Sequence, residues 1–197
     1  MSSSSSTVRS DQSPLQELSA RIKELIRAVP DFPIPGIRFR DVMGLVEDAE
    51  GFRATTAALA DRFRDAAPEV VVGIEARGFI FGVPVAQEMG VGFVAVRKAG
   101  KLPGEVRSVD YALEYGTATL EMQLVAPIGV GTRVLVIDDL LATGGSAAAA
   151  IELVRGMGGV VVGAGFVVDL PELPGRGKVE GLGVEVFALC DFMGEEG

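Results

Sequence analysis

The spacing of apolar residues changes period along the chain. After Ser13 they recur every three or four positions, as on one face of a helix: Leu15, Leu18, Ile22, Leu25 and Ile26. Ser13-Pro14-Leu15-Gln16 places a cap residue, a proline at the first helical position and a capping-box glutamine before this stripe. The pattern predicts a helix that begins at about Ser13 and a second helix over roughly Glu50 to Ala66.

Beyond residue 70, short segments rich in apolar residues alternate with helical patterns. The predicted strands are Val70–Ile74, Gly92–Val96, Ala118–Val125, Arg133–Ile137, Val160–Val168 and Val184–Leu189. The predicted helices between them are Phe79–Met89 and Ser146–Met157. Buried strands that alternate with helices indicate an α/β fold with a mostly parallel central sheet flanked by helices. Without repeats or a second core, residues 13–197 are expected to form one domain.

Two segments lie outside this alternation. Residues 1–12 are rich in serine and have no apolar periodicity, so we expect a disordered tail. The segment Pro30–Gly36 contains three prolines and a glycine and cannot be helical. It is expected to be an irregular connector that continues to about Asp41.

Composition excludes several function classes. The formal charge of −9 argues against a nucleic-acid partner, and we expect neither a membrane span nor a secretory signal peptide. Cys190 is the only cysteine, which fits a reducing, cytoplasmic compartment. The chain has no histidine, so acid–base chemistry must fall to Asp, Glu, Lys, Tyr or the cysteine.

The segment Val134–Ser146 carries the strongest chemical signal. A buried strand is followed by Asp138 and Asp139, and then by Ala142-Thr-Gly-Gly-Ser146 at the start of a helix. Glycines let the backbone approach an anion, and a helix N-terminus offers free N–H groups. The pattern predicts a phosphate site; a simple strand-to-helix turn with a cap is the alternative.

Two further segments suit anions. In Gly73–Gly82, Arg77 follows a predicted strand at the start of a helix, although a surface arginine in a turn fits equally well. The run from Arg97 to Arg107 holds four cations and one anion. It is typical either of a lid over a diphosphate or of a solvated charged loop.

Val134–Ser146 resembles the 5-phosphoribosyl 1-pyrophosphate (PRPP) motif of type I phosphoribosyltransferases. The resemblance implies that family's fold, with a small N-terminal hood at about residues 30–41 and a mobile active-site loop. It implies that Asp138 and Asp139 hold the ribose hydroxyls. The 5′-phosphate would be held by Ala142, Thr143, Gly144, Gly145 and Ser146, the last of which is often threonine in the family.

Other segments resemble the adenine-specific members of this family. Gly73–Gly82 is similar to their pyrophosphate loop, which implies that Arg77 acts on the pyrophosphate and that Glu75–Ala76 is a candidate cis peptide. Arg97–Gly116 is similar to their mobile loop. This implies that Lys98 and Lys101 bind PRPP and that Glu114 and Tyr115 are the catalytic pair, with Glu114 as proton carrier.

The segment Phe32–Asp41 resembles the adenine-binding hood. It implies that Phe39 stacks on the purine, that Arg40 reaches a ring nitrogen and that the backbone around Arg38 reads the base edge, with Leu140 as a further contact. A proline-rich linker with a buried phenylalanine is the alternative from composition alone.

Together these similarities imply transfer of ribose 5-phosphate from PRPP to adenine, with AMP and pyrophosphate as products. Mg²⁺ is expected to be held mainly by the oxygens of PRPP, without dedicated metal ligands, and a homodimer is expected. The alternatives are another purine base, a non-catalytic regulator that senses PRPP, and a Rossmann-like nucleotide binder, which the lack of a well-placed glycine fingerprint opposes.

Overall fold

The computed structural model describes residues 13–113 and 116–193. Helix α1 spans Pro14–Leu25 and has the predicted capping box, in which Ser13 and Gln16 satisfy each other's backbone N–H groups. Helix α3 covers Ala49–Phe63 and is extended by a 3₁₀ turn at Arg64–Ala66. Both helices therefore lie where the apolar spacing predicts them.

Within the part of the chain that the structure describes, the central sheet has seven strands: β3 (Val70–Ile74), β4 (Gly92–Lys98), β5 (Val106–Leu113), β6 (Gly116–Gln123), β7 (Arg133–Leu141), β8 (Val160–Asp169) and β9 (Val186–Asp191). Their order across the sheet is β5-β6-β4-β3-β7-β8-β9. The connecting helices include α4 (Arg77–Met89), α5 (Gly145–Gly156) and α6 (Gly175–Glu180). The strands β4, β3, β7, β8 and β9 are parallel, and β5 and β6 form an antiparallel extension. The predicted α/β class and mostly parallel sheet are confirmed.

Alternating side chains divide the core between the two faces of the sheet. Val134 and Val136 of β7 pack on the face that carries α5, whereas Leu135 and Ile137 pack on the opposite face. Phe63 of α3 and residues of α1 and α4 belong to this second cluster. Covering both faces explains why the parallel strands are apolar throughout.

The structure corrects several predicted boundaries. Strand β7 continues through Asp138 and Asp139 to Leu141, four residues beyond its predicted end, because β8 still pairs with it there. Residues 106–113, which were interpreted as part of the mobile loop, form strand β5. Because polar residues such as Asp110 interrupt this segment, its apolar residues did not indicate a strand.

Four short elements were not predicted from the sequence. Strands β1 (Arg27–Val29) and β2 (Phe39–Asp41) form a two-stranded antiparallel ribbon that brackets the proline-rich segment. Helix α2 (Met43–Glu47) follows it, and α6 precedes β9. All three residues of β1 are exposed, so no apolar periodicity marked it. Among residues 13–113 and 116–193, no helix combines the length and apolarity that a bilayer span requires.

Candidate active site

The site lies where the chain reverses its progress across the sheet. From β3 the chain moves to β4 on one side, and from β7 it moves to β8 on the other. Ligands of open α/β sheets bind in the crevice at the carboxyl ends of such neighbouring strands. Pairing between β3 and β7 ends at Gly73 and Ile137, so the following Asp138 and Asp139 lie beyond β3 at the floor of a crevice.

The predicted phosphate loop joins β7 to α5. Gly144 has a left-handed φ of +74° and immediately precedes the helix. The first N–H groups of α5 have no partner within the helix and its dipole favours an anion there. A small cavity of about 90 Å³ is lined by Asp138 and by all five predicted loop residues. The structure thus brings together the acid pair and the predicted phosphate loop.

Arg77 connects the two predicted ligand regions. It is the first residue of α4 and forms an ion pair with Asp139, whose side chain is buried. Its guanidinium carbon also lies 5.3 Å from the centroid of the Phe39 ring. The preceding Glu75–Ala76 peptide bond is cis, which confirms the candidate named from the sequence.

Asp138 and Asp139 do not have equivalent environments. Burial raises the pKa of Asp138 well above its ordinary value, and the adjacent negative charge of Asp139 raises it further. Asp139 has Arg77 as its cationic partner. A ligand that donates hydroxyl hydrogen bonds to Asp138 would stabilise its carboxylate form.

The Glu75 carboxylate anchors the start of the cationic loop. It accepts hydrogen bonds from Lys101 Nζ at 2.7 Å, from the Lys98 backbone N–H at 2.9 Å and from an Arg97 guanidinium nitrogen at 3.2 Å. Burial alone would raise the pKa of Glu75, but these three donors outweigh it and lower the pKa to about 2. The predicted PRPP ligands Lys98 and Lys101 are therefore held beside the pyrophosphate loop.

A larger cavity of about 420 Å³ unites these parts. Its lining residues come from the pyrophosphate loop, the start of the cationic segment, the antiparallel strands, the acid pair and the phosphate loop: Ile74, Glu75, Ala76, Arg77, Lys98, Tyr111, Leu120, Asp138, Asp139, Leu140, Ala142 and Ser146. The lining combines two cations, Arg77 and Lys98, with three carboxylates, Glu75, Asp138 and Asp139. Such a surface suits a ligand with anionic ends and a hydroxylated centre.

The hood forms a separate, more apolar cavity of about 470 Å³. Phe39 lines it and packs edge-to-face on Phe32, with ring centroids 5.2 Å apart. Arg77 lines this cavity as well as the 420 Å³ cavity that contains the acid pair. An aromatic ring with an accessible face is suited to stacking on a planar base.

The structure does not bring every predicted side chain to the purine cavity. Arg40 is buried with its guanidinium carbon 4.1 Å from the Phe192 ring centroid. Because side chains of a strand alternate, Arg40 points away from the face of β2 that carries Phe39 and Asp41. Arg38 is exposed, and Leu140 lines the cavity that contains the acid pair. The predicted catalytic pair, Glu114 and Tyr115, lies outside the described residues.

Sequence reasoning missed several residues of the two cavities. Tyr111 lines the cavity that contains the acid pair, and its ring lies 3.0 Å from where a Cβ on Gly145 would be, so this glycine permits the close approach. Asp41 and Met43 line the hood cavity. Glu75 could have been found, since an acid directly after a wholly apolar strand signals a site at the sheet edge.

Comparison with known proteins identifies the class that this fold and site define. Residues 45–179 match the phosphoribosyl transferase domain family. A protein from Shewanella frigidimarina named adenine phosphoribosyltransferase is 52% identical over 180 residues, which cover 91% of this chain and 98% of that protein. The chain therefore belongs to the phosphoribosyltransferase family and, within it, to the adenine phosphoribosyltransferases.

Solved structures agree with the sequence comparison. The adenine phosphoribosyltransferase of Rhodothermus marinus superimposes with a TM-score of 0.85 at 44% identity, covering 90% of this chain and 99% of its own. That of Saccharomyces cerevisiae, complexed with D-2,5-dideoxy-2,5-imino-altritol 1,6-bisphosphate and adenine, has a TM-score of 0.81 at 40% identity over 88% of this chain and 99% of its own. The fold of this chain is thus the type I phosphoribosyltransferase fold.

Proposed function

We propose that this chain transfers the 5-phosphoribosyl group of PRPP to adenine, giving AMP and pyrophosphate. One observation carries the proposal. Arg77 lines both the cavity that holds the acid pair and phosphate loop and the aromatic cavity of the hood. A phosphoribosyl donor in the first cavity and a base in the second would therefore meet beside one guanidinium.

PRPP would bind along the 420 Å³ cavity that contains the acid pair. Its 5′-phosphate would accept hydrogen bonds from the backbone between Ala142 and Ser146 at the N-terminus of α5. Asp138 and Asp139 would accept hydrogen bonds from the ribose 2′- and 3′-hydroxyls. Together, the phosphate and hydroxyl contacts would hold the ribose in one orientation. The base would then react with a sugar that is already correctly placed.

In the transfer, the bond between ribose C1 and the pyrophosphate oxygen breaks, and its electron pair leaves with pyrophosphate. Arg77 and the cations of the loop, Lys98 and Lys101, would stabilise the negative charge that develops there. The N9 lone pair of adenine forms the new bond to C1. The purine proton passes to a carboxylate, for which we propose Glu114, with Tyr115 beside it in the chain.

The residues present fit the use of Mg²⁺ through the substrate. Among residues 13–113 and 116–193, no three Asp, Glu or Cys side chains form a group able to hold a metal ion. Mg²⁺ keeps several waters and commonly binds through one or two carboxylates with substrate phosphates. The diphosphate and ribose oxygens of PRPP, with waters, would mainly hold the ion, while Asp138 and Asp139 hold the ribose hydroxyls. The ion would neutralise diphosphate charge.

Adenine is the base that we propose for the hood cavity. Phe39 would stack on its ring, and backbone N–H and C=O groups around Arg38 would read its edge. The yeast relative crystallised with adenine supports this choice. Incubation with PRPP, Mg²⁺ and each of adenine, hypoxanthine, guanine and xanthine tests it. Adenine should give the only rapid nucleotide formation; equal rates with hypoxanthine would refute the base assignment.

We also propose a homodimer in the cytoplasm. The dimer rests on the family resemblance, and light scattering should give about twice the 20.5 kDa chain mass. The proposed location rests on the cysteine count, because Cys190 is the only cysteine and no internal disulfide can form. In the structure its free thiol is buried in the core. Burial raises the pKa of Cys190 to about 12, so the thiol is kept protonated and unreactive.

A further inference from the structure

An ion pair behind the phosphate loop joins α6 to the edge of the sheet. Asp169 is the last residue of β8, and only 3% of its side chain is exposed. Arg176 Nε donates a hydrogen bond to Asp169 Oδ2 at 2.7 Å. Another nitrogen of the same guanidinium donates to the Val186 carbonyl oxygen at 3.2 Å. One arginine thus ties α6 to β8 and β9.

Asp169 depends on this arginine for its charge compensation. A buried carboxylate is costly unless it is paired and hydrogen-bonded. Its second oxygen, Oδ1, is buried and accepts no hydrogen bond from any of the described residues. The Arg176 contact is therefore the principal stabilisation of the Asp169 carboxylate that the structure shows.

Helix α6 begins directly against the phosphate loop. A Cβ placed on Gly144 would lie 2.8 Å from the Gly175 carbonyl oxygen and 2.9 Å from its Cα. Conversely, a Cβ on Gly175 would lie 3.0 Å from the Gly144 nitrogen and would overlap the Ala142 carbonyl oxygen. The two backbones touch with no side chain between them. A shift of α6 would therefore be transmitted to the loop.

Arg176 follows Gly175 in the chain, so its ion pair sets where the Gly175 backbone lies. We propose that Asp169 and Arg176 are positioning residues for 5′-phosphate binding, which hold Gly175 against the loop so that its N–H groups converge on the phosphate. This inference rests on the proposed function of the loop. It gives a role to the segment from Leu170 to Arg176, which contributes no residue to the two ligand cavities.

The test compares AMP, which carries the 5′-phosphate, with adenosine, which lacks it. The variants are Arg176→Lys, which keeps the charge but loses the guanidinium fork, and Asp169→Asn. Arg155→Lys is the matched control, because Arg155 donates to the Leu182 carbonyl oxygen at 2.7 Å from the exposed side of α5. Calorimetry gives both dissociation constants, and steady-state kinetics give kcat and each KM.

Both test variants should weaken AMP binding at least about tenfold, which corresponds to about 1.4 kcal/mol, or about one lost hydrogen bond to the charged phosphate. Adenosine binding, the KM for adenine and kcat should stay within about twofold of wild type, and the Arg155→Lys protein should match wild type throughout. A lower melting temperature with unchanged AMP affinity would show a merely structural pair and overturn the inference. Equal losses for AMP and adenosine would overturn it too. A wild-type protein that binds AMP no better than adenosine would instead refute the phosphate site itself.

Discussion

Arg77 lies over the ring of Phe39, with 5.3 Å between the guanidinium carbon and the ring centroid, while it is ion-paired with Asp139. The arginine therefore contacts the proposed purine-stacking ring and the proposed ribose anchor at once. A base that stacks on Phe39 would have to share or displace this contact. The arrangement places the two halves of the proposed reaction at neighbouring surfaces.

Replacing Phe39 with leucine should weaken adenine binding and leave PRPP binding unchanged. Stacking of a base on an aromatic ring contributes about 1–3 kcal/mol, so the KM for adenine should rise by about one order of magnitude. Steady-state kinetics with each substrate varied in turn provide the measurement. Phe187→Leu is the control, because this ring packs on Phe63 away from both cavities. Equal effects of the two substitutions would exclude stacking by Phe39.

The raised pKa of Asp138 predicts pH-dependent binding. In the free protein, burial and Asp139 favour the protonated carboxyl group. Ribose hydroxyls donate to the carboxylate form, so binding should lower this pKa, release protons and strengthen as the pH rises through the raised value. Calorimetry of PRPP binding in two buffers of different ionisation enthalpy measures the released protons.

The Asp138→Asn variant isolates this effect, because titration of the ligand phosphate is common to both proteins. Its proton release should be smaller than that of wild type. Asp139→Asn should instead move the pH dependence to lower pH, since the neighbouring negative charge is gone. Identical proton release from wild type and Asp138→Asn would show that Asp138 does not titrate on binding.

Glu75→Gln should destabilise the protein at neutral pH. The pKa of Glu75 is lowered from 4.5 to about 2, so its stabilisation is present above pH 4.5 and is lost as the pH falls toward 2. Loss of charge-assisted hydrogen bonds from Lys101 and Arg97 should lower Tm by about 5 °C, given about 1–3 kcal/mol per such bond. The difference in Tm between Glu75→Gln and wild type should become smaller as the pH falls toward 2.

Glu69→Gln is the control for this stability measurement. Its carboxylate also accepts a backbone N–H, from Arg133 at 2.9 Å, and pairs with that arginine at 3.6 Å, but its side chain is 49% exposed. An exposed pair contributes little, so its Tm should change by no more than about 2 °C. A Tm for Glu75→Gln that equals wild type at neutral pH would contradict the anchoring role.

We assign proton transfer to the loop that contains Glu114 and PRPP binding to the loop that contains Gly144. Substitutions in the two loops should therefore affect different kinetic quantities. Glu114→Ala should lower kcat by about two to four orders of magnitude, the usual contribution of a general acid or base, with PRPP affinity unchanged. Gly144→Val should abolish PRPP binding, because φ is +74° and the new side chain would strike the Gly175 backbone. Kinetics and calorimetry separate the two effects. The reverse pattern would mean that the loop assignments are wrong.

Much of the fold could be predicted because the parallel strands are apolar on both faces. The carboxyl edge of the sheet was predictable in the same way, since Asp138 and Asp139 directly follow the apolar run Val134–Ile137 and Arg77 lies three residues after Val70–Ile74. Strand β5 was not, because its polar alternation resembles a charged loop. Its pairing with β6 is a tertiary contact that no local pattern shows.

The direction in which individual side chains point could not be predicted from the sequence either. Resemblance led to the expectation that Arg40 reaches the base, but the alternation of β2 turns it onto Phe192. The contact between Asp169 and Arg176 depends on how α6 packs, and the short run of six helical residues carried no periodic signal. Residues whose role follows from a motif were predictable, and those whose role follows from packing were not.

The stoichiometry of the proposed transfer reaction can be measured in one assay. Purified protein is incubated with PRPP, Mg²⁺ and adenine, and the adenine consumed is compared with the AMP and pyrophosphate formed, with Gly144→Val protein purified in parallel to reveal any contaminating enzyme. We expect the wild-type protein to form AMP and pyrophosphate in amounts equal to the adenine consumed. The Gly144→Val protein should form neither product. Failure of the wild-type protein to form AMP, or formation of pyrophosphate without AMP, would contradict the proposed reaction.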